Sequence, residues 1–473
     1  MRKTKIVCTI GPASESPETI RALLRAGMNV ARLNFSHGSL DEHLQRINNL
    51  REAARELGVN LALLLDIQGP KIRVGRLKNG PIELIPGQEY TLTVEPYEGD
   101  ETKIHVDYPH LNRDLRPGSV IYIDDGLLEL RVQEINGPDV SCQVVIGGEL
   151  SSRKGISLPG VDVDLPAITR EDAEHIRFGV KHGVDWIAAS FVRKAEHVQA
   201  VREMIEAAGG HQKIIAKIES NSGLRNIDEI VAAADGIMVA RGDLGVEIPA
   251  EEVPLAQRML IRKCNRAGKP VITATQMLDS MIRNPRPTRA EVTDVSNAIF
   301  EGTDCVMLSG ETAMGRYPVR AVQVMDKIAL RMEQVIDYGS VLREKTNEGR
   351  SEVDQAVTLA ACQVTNDLNL NTLICATYSG ATARSISQKR PKAAILAISP
   401  NEHVVRQLAM SWGVIAIHQE QMGDVEESLR EAIQNAIERG FVALGDVVTI
   451  ITGSSFGVPG TTNMLQVRKV EGF

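Results

Sequence analysis

Short apolar runs typical of buried strands recur between residues 5 and 312, and amphipathic helical patterns separate most of them. The eight runs cover residues 5–11, 28–36, 60–69, 184–191, 213–219, 236–243, 270–277 and 305–312. The spacing of apolar positions between them predicts helices, for example over residues 17–27, 197–210 and 254–268. Apolar strands that alternate with helices are typical of a parallel sheet covered by helices. Eight such units predict an α/β fold, a (β/α)8 TIM barrel, with functional residues at the C-terminal strand ends.

The connection between the third and fourth runs departs from this pattern. Residues from about 71 to 165 show alternating polar and apolar positions, with turn dipeptides at Asp125-Gly126 and Asn136-Gly137. Such alternation predicts an antiparallel β domain inserted into the barrel. The helical pattern over residues 169–183 then resumes the barrel, with Thr169 as its N-cap.

A third region follows a polar bridge that begins near residue 338. Its pattern predicts a helix from Glu352 and then four strands separated by helices, at residues 372–380, 393–399, 414–418 and 446–455. This arrangement is typical of a smaller, open α/β sheet. A chain of 473 residues is too long for one ordinary hydrophobic core, so several domains are expected.

Composition narrows the class of protein. Hydrophobic residues make up 43% and charged residues 24% of the chain, as in soluble globular proteins. The net charge of −8 and the pI of about 5.8 argue against a chain-wide role in binding nucleic acid or membranes. The sequence shows neither a membrane-spanning run nor the apolar core of a signal peptide, and its six scattered cysteines form no Cys-x-x-Cys pair. We therefore expect a cytoplasmic protein whose cysteines lie in its core.

Polar side chains gather where the predicted barrel strands end. Alternation along strand two places Arg32, Asn34 and Ser36 on one face. Taken singly, such residues are as readily explained by ion pairs that close the top of a barrel. The whole set favours an active site, because a desolvated charge is costly unless it has a partner. Its members are Arg32, Asn34, Ser36, His37, Asp66, Lys217, Glu219, Arg241, Gly242, Asp243, Thr273, Thr275, Gln276, Ser309 and Glu311.

The types of residue in this set indicate chemistry on a small anion. Glu219 and Asp243, carboxylates from neighbouring strands, suit Mg²⁺ or Mn²⁺. Lys217 beside them can offset charge on a transferring phosphoryl group or on an enolate. Arg32 and Arg73 suit phosphate or carboxylate groups. Phosphoryl transfer and enolate chemistry both fit this assembly.

Three more residues extend this interpretation. Gly242 lacks a side chain, so an anion can approach its backbone amide closely. Thr275 can relay a proton through its hydroxyl group or a water molecule. The role of Arg241 is left open by the sequence: orienting the metal-site carboxylates is one interpretation, and contact with substrate is the other.

Eight segments of the chain resemble the signature segments of the pyruvate kinase family, in that family's order and spacing. They are MNVARLNFSHG, GPKIR, KGISLPG, KIES, MVARGDLGVEIP, ITATQMLDSMI, NPRPTRAE and MLSGETA. The resemblance covers essentially the whole chain and implies three domains: a barrel (1–70 and 167–338), a lid (71–166) and a regulatory α/β domain (339–473). It implies a cytoplasmic, homotetrameric, Mg²⁺-dependent enzyme that makes pyruvate and ATP from phosphoenolpyruvate and ADP in the last step of glycolysis.

The resemblance also implies roles for single residues. Glu219 and Asp243 resemble the Mg²⁺ ligands, and Lys217 resembles the lysine that stabilises the phosphoryl-transfer transition state and the enolate. Arg32 is expected to hold the transferring phosphoryl group. The amides near Gly242 and Asp243, with the Thr275 hydroxyl, are expected to hold the substrate carboxylate, and Thr275 to help protonate the enolate. The residues expected to face the nucleotide are Asn34, His37, Arg73 and Lys154.

One departure from the family pattern concerns the monovalent cation. Potassium-requiring members resemble D-T-K-G-P-E-I-R-T, whereas residues 66–74 of this chain are DIQGPKIRV. Asn34, Ser36, Asp66 and Ile67 remain as a cation pocket, but Lys71 places an ammonium where those members carry glutamate. Because two neighbouring cations repel, we predict that Lys71 substitutes for K⁺ and that K⁺ is not required. The alternative is that Lys71 is a solvated surface charge.

Two other features leave their consequences open. Met314 stands where many members have lysine, so any nucleotide or interface contact made there is in doubt. The turn formed by residues 377–385 resembles the family's site for a phosphorylated allosteric effector, completed by a late loop over residues 453–463. Its expected contacts are Thr377, Ser379, Gly380 and Thr382. An ordinary strand–helix turn is the alternative, and sugar monophosphate, AMP and fructose bisphosphate all remain open as effectors.

Two rival functions use the same features. A Mg²⁺-dependent aldolase or lyase that acts on phosphoenolpyruvate or pyruvate would share the carboxylates and the arginine, but would need neither lid nor nucleotide contacts. A sugar-phosphate sensor would have kept the fold and lost catalysis. The presence of Lys217, Glu219, Asp243 and Thr275 argues against the sensor.

Overall fold

The computed structural model describes residues 1–347, 352–420, 425–453 and 462–471. The chain begins with three strands and two helices: β1 Lys5–Ile10, α1 Pro17–Ala26, β2 Val30–Asn34, α2 Leu40–Leu57 and β3 Ala62–Asp66. The side chains of Ser16 and Ser39 cap the N-termini of α1 and α2 by accepting backbone N–H groups. Gly27 and Gly58 end the two helices with positive φ, a conformation that glycine adopts without strain.

The inserted region folds as a separate β domain with its own core. Its elements are β4 Ile82–Leu84, β5 Glu89–Thr93, β6 Lys103–His105, α3 Leu111–Asp114, β7 Val120–Ile123, β8 Leu128–Asn136, β9 Asp139–Ile146, β10 Gly148–Leu150 and β11 Ile156–Ser157. Six strands form a sheet in the order β11-β7-β8-β9-β5-β6, and β4 pairs with β10. The predicted turns at Asp125-Gly126 and Asn136-Gly137 join β7 to β8 and β8 to β9. The antiparallel prediction is wrong at one pair, since β5 and β6 run parallel.

The rest of the first domain completes the barrel. Its elements are α4 Arg170–Lys181, β12 Trp186–Ala189, α5 Ala195–Ala207, β13 Lys213–Ile218, α6 Asn221–Arg225, α7 Ile227–Ala233, β14 Gly236–Ala240, α8 Arg241–Glu247, α9 Val253–Ala267, β15 Val271–Ala274, α10 Arg289–Glu301, β16 Cys305–Leu308, α11 Gly310–Ala313 and α12 Pro318–Glu333. Short 3₁₀ helices lie at Ala250–Glu252 and Asp279–Ile282. Eight parallel strands close in the order β1-β16-β15-β14-β13-β12-β3-β2, which confirms the predicted TIM barrel.

Several strands end earlier than their apolar patterns indicate. The sixth strand stops at Ala240, and Arg241, Gly242 and Asp243 form the first turn of α8. Ser36 lies beyond the end of β2, so the alternation argument that grouped it with Arg32 and Asn34 does not reach it. Where a barrel strand ends, its residues leave the hydrogen-bonded sheet, and local turns decide where the next side chains point.

The C-terminal part forms an open α/β sheet. Its elements are α13 Tyr338–Asn347, α14 Val353–Asp367, β17 Thr372–Ala376, α15 Ala381–Gln388, β18 Ala394–Ser399, α16 Glu402–Gln407, a 3₁₀ helix Leu408–Met410, β19 Val414–His418, α17 Val425–Glu438, β20 Val447–Gly453 and β21 Thr462–Lys469. The order is β19-β18-β17-β20-β21, with β21 antiparallel to its neighbour. The first part of the predicted polar bridge forms α13. The strand β21 was not predicted, because its half-exposed, polar-rich sequence lacks an apolar run.

The C-terminal domain closes the lower end of the barrel. Ala409 and Met410 pack among inward-facing barrel residues that include Trp186. The Trp186 indole N–H donates to the carbonyl of Gln407 at 3.3 Å, and the Cys305 thiol donates to that of Met410 at 3.3 Å. All six cysteines are buried, as predicted. In the described part of the chain, no helix has the length and apolar character needed to cross a membrane.

Candidate active site

Lys217 lies near the C-terminal end of β13, at the mouth of the barrel. Its Nζ contacts Asp66 Oδ1 at 3.1 Å and Glu219 Oε1 at 3.0 Å, and it donates to Ser190 Oγ at 2.6 Å. Burial disfavours the charged form of Lys217, but the charges of Asp66 and Glu219 outweigh this and raise its pKa above the ordinary value. The ammonium therefore stays charged around neutral pH.

Asp66 joins Lys217 to a second predicted cation. Arg32 Nε donates to Asp66 Oδ2 at 2.6 Å, and Arg32 Nη1 donates to Thr9 Oγ at 3.0 Å. Burial opposes the ionised form of Asp66, yet Arg32 and Lys217 together hold its pKa below the usual range. One buried carboxylate thus fixes two cations side by side, which suits a ligand with several negative oxygens.

The two predicted metal ligands differ in their surroundings. Glu219 is buried, and its Oε2 accepts a hydrogen bond from the Phe191 N–H at 2.6 Å. Burial raises the pKa of Glu219; Lys217 opposes this rise, and Asp243 adds to it. Asp243 is partly exposed in the first turn of α8. A divalent cation bound to both carboxylates would relieve the desolvation and the repulsion, so the pair fits a hard metal ion.

The predicted metal ligands are two carboxylates, Glu219 and Asp243. Across the residues that the structure describes, no three or more His, Cys, Asp or Glu side chains are arranged to hold a metal. Two protein carboxylates leave the remaining positions to water and substrate oxygens, which is how Mg²⁺ is usually bound.

Thr275 follows the end of β15 in a strained conformation. Its φ is 67° and that of Gln276 is 56°, in the left-handed region that β-branched residues rarely adopt. Such strain costs on the order of 1–3 kcal/mol and tends to occur at functional sites. Thr275 Oγ accepts from the Gly242 N–H at 2.9 Å and donates to the Ala274 carbonyl at 2.6 Å. The structure therefore brings together the predicted carboxylate-binding residues Gly242 and Thr275.

The contacts of Arg241 are with backbone carbonyls and with two outer helices, and not with the predicted metal ligands Glu219 and Asp243. Its Nε donates to the Ala274 carbonyl at 3.0 Å and its Nη2 to the Thr275 carbonyl at 2.6 Å. Its Nη1 donates to Asp294 Oδ1 at 2.6 Å and to Gln257 Oε1 at 3.2 Å. The guanidinium holds the backbone next to Thr275.

Lys71 connects the inserted domain to Asp243, one of the two predicted metal ligands. Its Nζ lies 3.3 Å from Asp243 Oδ1 and 3.3 Å from Asp125 Oδ1, which belongs to the turn between β7 and β8. Burial disfavours its charge, but Asp243 and Asp125 raise the pKa of Lys71 overall. With its side chain only 22% exposed and bound to two carboxylates, Lys71 is not a solvated surface lysine.

The other predicted cation-pocket residues lie around the ends of β2 and β3. Asn34 is half-buried, and its Oδ1 accepts from the backbone N–H of the exposed Ser36 at 3.3 Å. Ile67 is buried, and its carbonyl accepts from Ser190 Oγ at 2.6 Å. Asp66, predicted here only as a cation ligand, is the carboxylate shared by Arg32 and Lys217.

The predicted nucleotide contacts lie on the rim and on the two segments that lead into and out of the inserted domain. His37 is exposed beyond β2, and its carbonyl bonds to His43 Nε2 at 2.9 Å. Arg73 Nη1 donates to the carbonyl of Arg153 at 3.0 Å. Lys154 Nζ pairs with Asp124 Oδ2 at 2.8 Å.

Two residues of the predicted set, Thr273 and Glu311, have internal structural contacts. Thr273 is buried within β15, where its hydroxyl bonds to that of Thr303 at 3.0 Å. Glu311 is buried and accepts from the backbone N–H groups of Leu278 and Ser309 at 3.0 and 2.7 Å. Burial raises the pKa of Glu311. Met314, just after α11, has 71% of its surface exposed.

The predicted effector turn joins β17 to α15. Gly380 has a φ of 81° and precedes the first residue of α15. The Thr382 hydroxyl shares a 2.7 Å hydrogen bond with that of Thr462, and Thr377 is buried. The Ser379 carbonyl accepts from Arg384 Nη2 at 3.1 Å. Residues 454–461 of the predicted late loop lie outside the described residues.

Sequence reasoning missed contacts that complete the site. Ser190 binds Lys217, and Phe191, with a φ of 53°, presents its N–H to Glu219. Both residues lie at the end of the fourth apolar run. Ser190 could therefore have been predicted in the same way as the polar residues that end the other runs. Thr9 at the end of β1 is a similar case, since it binds Arg32.

Buried cations and carboxylates at the mouth of a closed barrel are typical of barrel enzymes that act on small anionic substrates. The family model described as pyruvate kinase, barrel domain, matches residues 1–322, and the model described as pyruvate kinase, alpha/beta domain, matches residues 355–468. The chain therefore belongs to the pyruvate kinase family and is an enzyme of that type, a phosphotransferase.

Individual relatives agree with this assignment. A pyruvate kinase of Geobacillus stearothermophilus is 50% identical over 472 residues, which are 99% of this chain and 80% of that protein. A pyruvate kinase of Sporosarcina psychrophila is 49% identical over 476 residues, 99% of this chain and 81% of that protein. The crystal structure of a pyruvate kinase from Cryptosporidium parvum matches with a TM-score of 0.94 at 39% identity, covering 99% of this chain and 96% of that one.

Proposed function

We propose that phosphoryl transfer from phosphoenolpyruvate to ADP takes place at the barrel mouth, around Lys217. The observation that carries this proposal is the contact of one buried ammonium with both Asp66 and Glu219, at 3.1 and 3.0 Å. A charged lysine fixed in advance needs no reorganisation when negative charge develops on the substrate.

The chain's own residues account for each stage of the reaction. Arg32 and Lys217 bind the phosphoryl oxygens while the bond from phosphorus to the enolate oxygen breaks and a bond to an ADP oxygen forms. Lys217 then stabilises the enolate. The backbone amides of Gly242 and Asp243, with the Thr275 hydroxyl, hold the substrate carboxylate. Thr275 helps deliver a proton to the terminal carbon of the enolate, which gives pyruvate.

We assign Glu219 and Asp243 as ligands of Mg²⁺ or Mn²⁺. When bound, the ion neutralises charge on the substrate's phosphoryl and carboxylate oxygens. The raised pKa of Glu219 supports this assignment, because a buried carboxylate beside another carboxylate favours a bound cation.

We assign residues 71–166 as a lid on the barrel formed by residues 1–70 and 167–338. Its closure would exclude water from the transferring phosphoryl group. The residues assigned to the nucleotide are Asn34, His37, Arg73 and Lys154. Two of them, Arg73 and Lys154, belong to the lid and contact other residues of it, which supports a link between nucleotide binding and closure.

We also propose that K⁺ is not required. The Lys71 ammonium already lies 3.3 Å from Asp243 and so supplies a positive charge beside the metal site. A K⁺ ion bound nearby, in the pocket of Asn34, Ser36, Asp66 and Ile67, would be repelled by it.

Regulation is assigned to residues 339–473. We propose that a phosphorylated metabolite binds the turn at Thr377, Ser379, Gly380 and Thr382, and that the enzyme is a cytoplasmic homotetramer. Thr382→Glu, which adds a negative charge at this turn, should remove activation by sugar phosphates and AMP, whereas Thr382→Ser should retain it. Unchanged activation of Thr382→Glu by every effector would show that the site is elsewhere.

One assay tests the main proposal. Purified protein should form pyruvate from phosphoenolpyruvate only with ADP and Mg²⁺, and chelation of the metal should stop the reaction. Pyruvate formation without ADP would favour the lyase, and no pyruvate at all would favour the sensor. Light scattering of the same sample measures the oligomeric state.

A further inference from the structure

We infer that Arg241 is a positioning residue that sets the Thr275 hydroxyl for protonation of the enolate. The inference rests on the proposed function, since it concerns the proton-transfer stage of that reaction. Arg241 would act by holding the backbone at the end of β15 and not by contact with the substrate.

The contacts of the guanidinium carry the inference. Arg241 Nε and Nη2 donate to the carbonyls of Ala274 and Thr275, two consecutive residues, at 3.0 and 2.6 Å. The planar fork of arginine fits two such acceptors at once, and lysine has no equivalent geometry. Arg241 therefore holds both peptide groups that flank the Cα atom of Thr275.

The backbone at this point needs such a restraint. Thr275 and Gln276 both have positive φ, at 67° and 56°, immediately after the last hydrogen-bonded residue of β15. A β-branched residue leaves this conformation readily unless its surroundings impose it. If the backbone relaxed, the Thr275 hydroxyl would move away from the Gly242 N–H, to which it now bonds at 2.9 Å.

The guanidinium is itself held by two outer helices. Its Nη1 donates to Asp294 on α10 at 2.6 Å and to Gln257 on α9 at 3.2 Å. Gln257 is fixed in turn by Glu301, which accepts from its Nε2 at 2.8 Å. These helices belong to the rigid wall of the barrel, so the restraint does not depend on the lid.

The same contacts determine where the hydroxyl proton points. In this structure the Thr275 hydroxyl donates to the Ala274 carbonyl, at 2.6 Å, and Arg241 Nε donates to that same carbonyl oxygen. Arg241 thereby fixes the position of the Ala274 carbonyl oxygen. The hydroxyl proton of Thr275 must leave this oxygen when it rotates toward the substrate. Substitution of Arg241 should therefore slow proton transfer through Thr275, so that it has no further effect once Thr275 has been replaced.

The test measures enolate protonation directly. Pyruvate is incubated in D₂O with ATP and Mg²⁺, and deuterium incorporation into its methyl group is followed by NMR for the wild-type enzyme, R241K, T275V and the double variant. We expect R241K and T275V each to lower the exchange rate by at least about tenfold, since acid–base groups contribute about 10²–10⁴-fold. The double variant should be no slower than T275V alone, because coupled residues are not additive.

The matched control is R51K at the other end of the barrel. Arg51 also donates to two carbonyls, those of Leu61 and Gly183, and to an aspartate, Asp185. R51K should lower the thermal midpoint as R241K does and leave the exchange rate within about twofold. D294N keeps Arg241 and removes its charged partner, so it tests the same restraint if R241K is poorly folded. We expect D294N to lower the exchange rate by less than R241K does.

Three results would overturn the inference: exchange by R241K within about twofold of wild type, multiplicative losses in the double variant, or an equal loss of exchange in R51K. Failure of the proposed function is recognised separately. Wild-type protein that forms no pyruvate with ADP would overturn both, whereas an active wild type with an unaffected R241K overturns the inference alone.

Discussion

Three charged residues at the barrel mouth, Asp66, Lys217 and Glu219, are buried, so each needs an oppositely charged neighbour to stay ionised. Lys217 is the only cation within ion-pair distance of Glu219 among the described residues, and Asp66 depends on Lys217 and Arg32 together. Removing one member of a buried ion pair leaves an uncompensated charge. The proposed function and local stability therefore depend on the same side chains.

Lys217→Met should abolish phosphoryl transfer and leave the fold intact. The substitution keeps the apolar stem and removes the charge, and Glu219, whose pKa is already raised, can take up a proton to limit the cost. We expect turnover to fall by about a thousandfold or more, with an unchanged circular dichroism spectrum. Lys213→Met is the control, because Lys213 starts the same strand and pairs with Asp235 at 3.1 Å. Normal turnover in Lys217→Met would remove the residue from its proposed role.

Lys71→Glu should convert the enzyme to dependence on K⁺. The new carboxylate would meet Asp243 and Asp125, which now share the Lys71 ammonium, so three negative charges would attract a monovalent cation. In an assay free of Na⁺ and K⁺, we expect little effect of added K⁺ on the wild type and a rise of about tenfold or more in Lys71→Glu. Lys78→Glu, which disrupts the partly exposed pair with Asp100, is the control. A many-fold activation of the wild type by K⁺ would contradict the proposal.

Sequence patterns predicted which polar residues lie at the barrel mouth but not which side chains they contact. A polar residue that ends an apolar strand is visible in the sequence, which is why Lys217, Glu219 and Asp243 were predictable. The partners of Arg241 were not, because Gln257 and Asp294 lie 16 and 53 residues away on separate helices. Periodicity gives the face of each helix but not the identity of the side chain that it meets.

At the scale of elements, a helix cap joins the two segments of the barrel that flank the inserted domain. Thr169 and Asp172 form a capping box at the start of α4. Asp172 Oδ1 also accepts from the Gly69 N–H at 3.1 Å, just after β3. The two ends of the inserted domain are therefore tied together through one buried carboxylate.

Thr169→Ala should weaken this junction by a predictable amount. Loss of an N-cap hydroxyl typically lowers the free energy of unfolding by about 1 kcal/mol. Thr293→Ala is the control, because its exposed hydroxyl bonds only within α10 and its loss should cost less than about 0.5 kcal/mol. Urea unfolding of both variants gives the comparison, and equal effects would show that the cap is not what stabilises α4.

Elements were predicted well where apolar pattern and caps agree, and poorly where neither is strong. All eight barrel strands and the N-cap Thr169 follow from the pattern. The start of α8 at Arg241 did not, because a glycine and two charged residues carry no helical periodicity. The strand β21 lies at a sheet edge with half-exposed residues, so its position depends on pairing with β20.

The whole molecule is joined by an interface that no local pattern indicates. Arg390 Nη1 bonds to Asp304 Oδ1 at 2.9 Å, and Arg406 Nε to Asp185 Oδ1 at 2.8 Å, both between the C-terminal domain and the barrel. These residues are spread along the chain, and their charges give no sign in the sequence of being buried. Each pair joins an arginine of the C-terminal domain to an aspartate of the barrel.

Lys5 offers a test of this interface through pH. Its Nζ donates to the Val414 carbonyl at 2.7 Å, and burial, with the nearby charge of Arg2, lowers the pKa of Lys5 to about 8 from 10.5. Between these two values the unfolded chain binds a proton that the folded chain has released, so stability should rise with pH. Below pH 8 both states hold the proton, and the contribution is constant.

Lys5→Met should therefore differ from the wild type by an amount that changes with pH. The variant lacks the titrating group, so the wild type should gain about 1.4 kcal/mol relative to it for each pH unit between pH 8 and 10. Unfolding in urea at pH 7, 8, 9 and 10 measures this difference. Because Lys3, another lysine with a pKa lowered to about 8, is present in both proteins, its effect cancels. Parallel stability curves would mean that Lys5 is as well solvated in the folded enzyme as in the unfolded chain, and that the interface is open to water at the barrel floor.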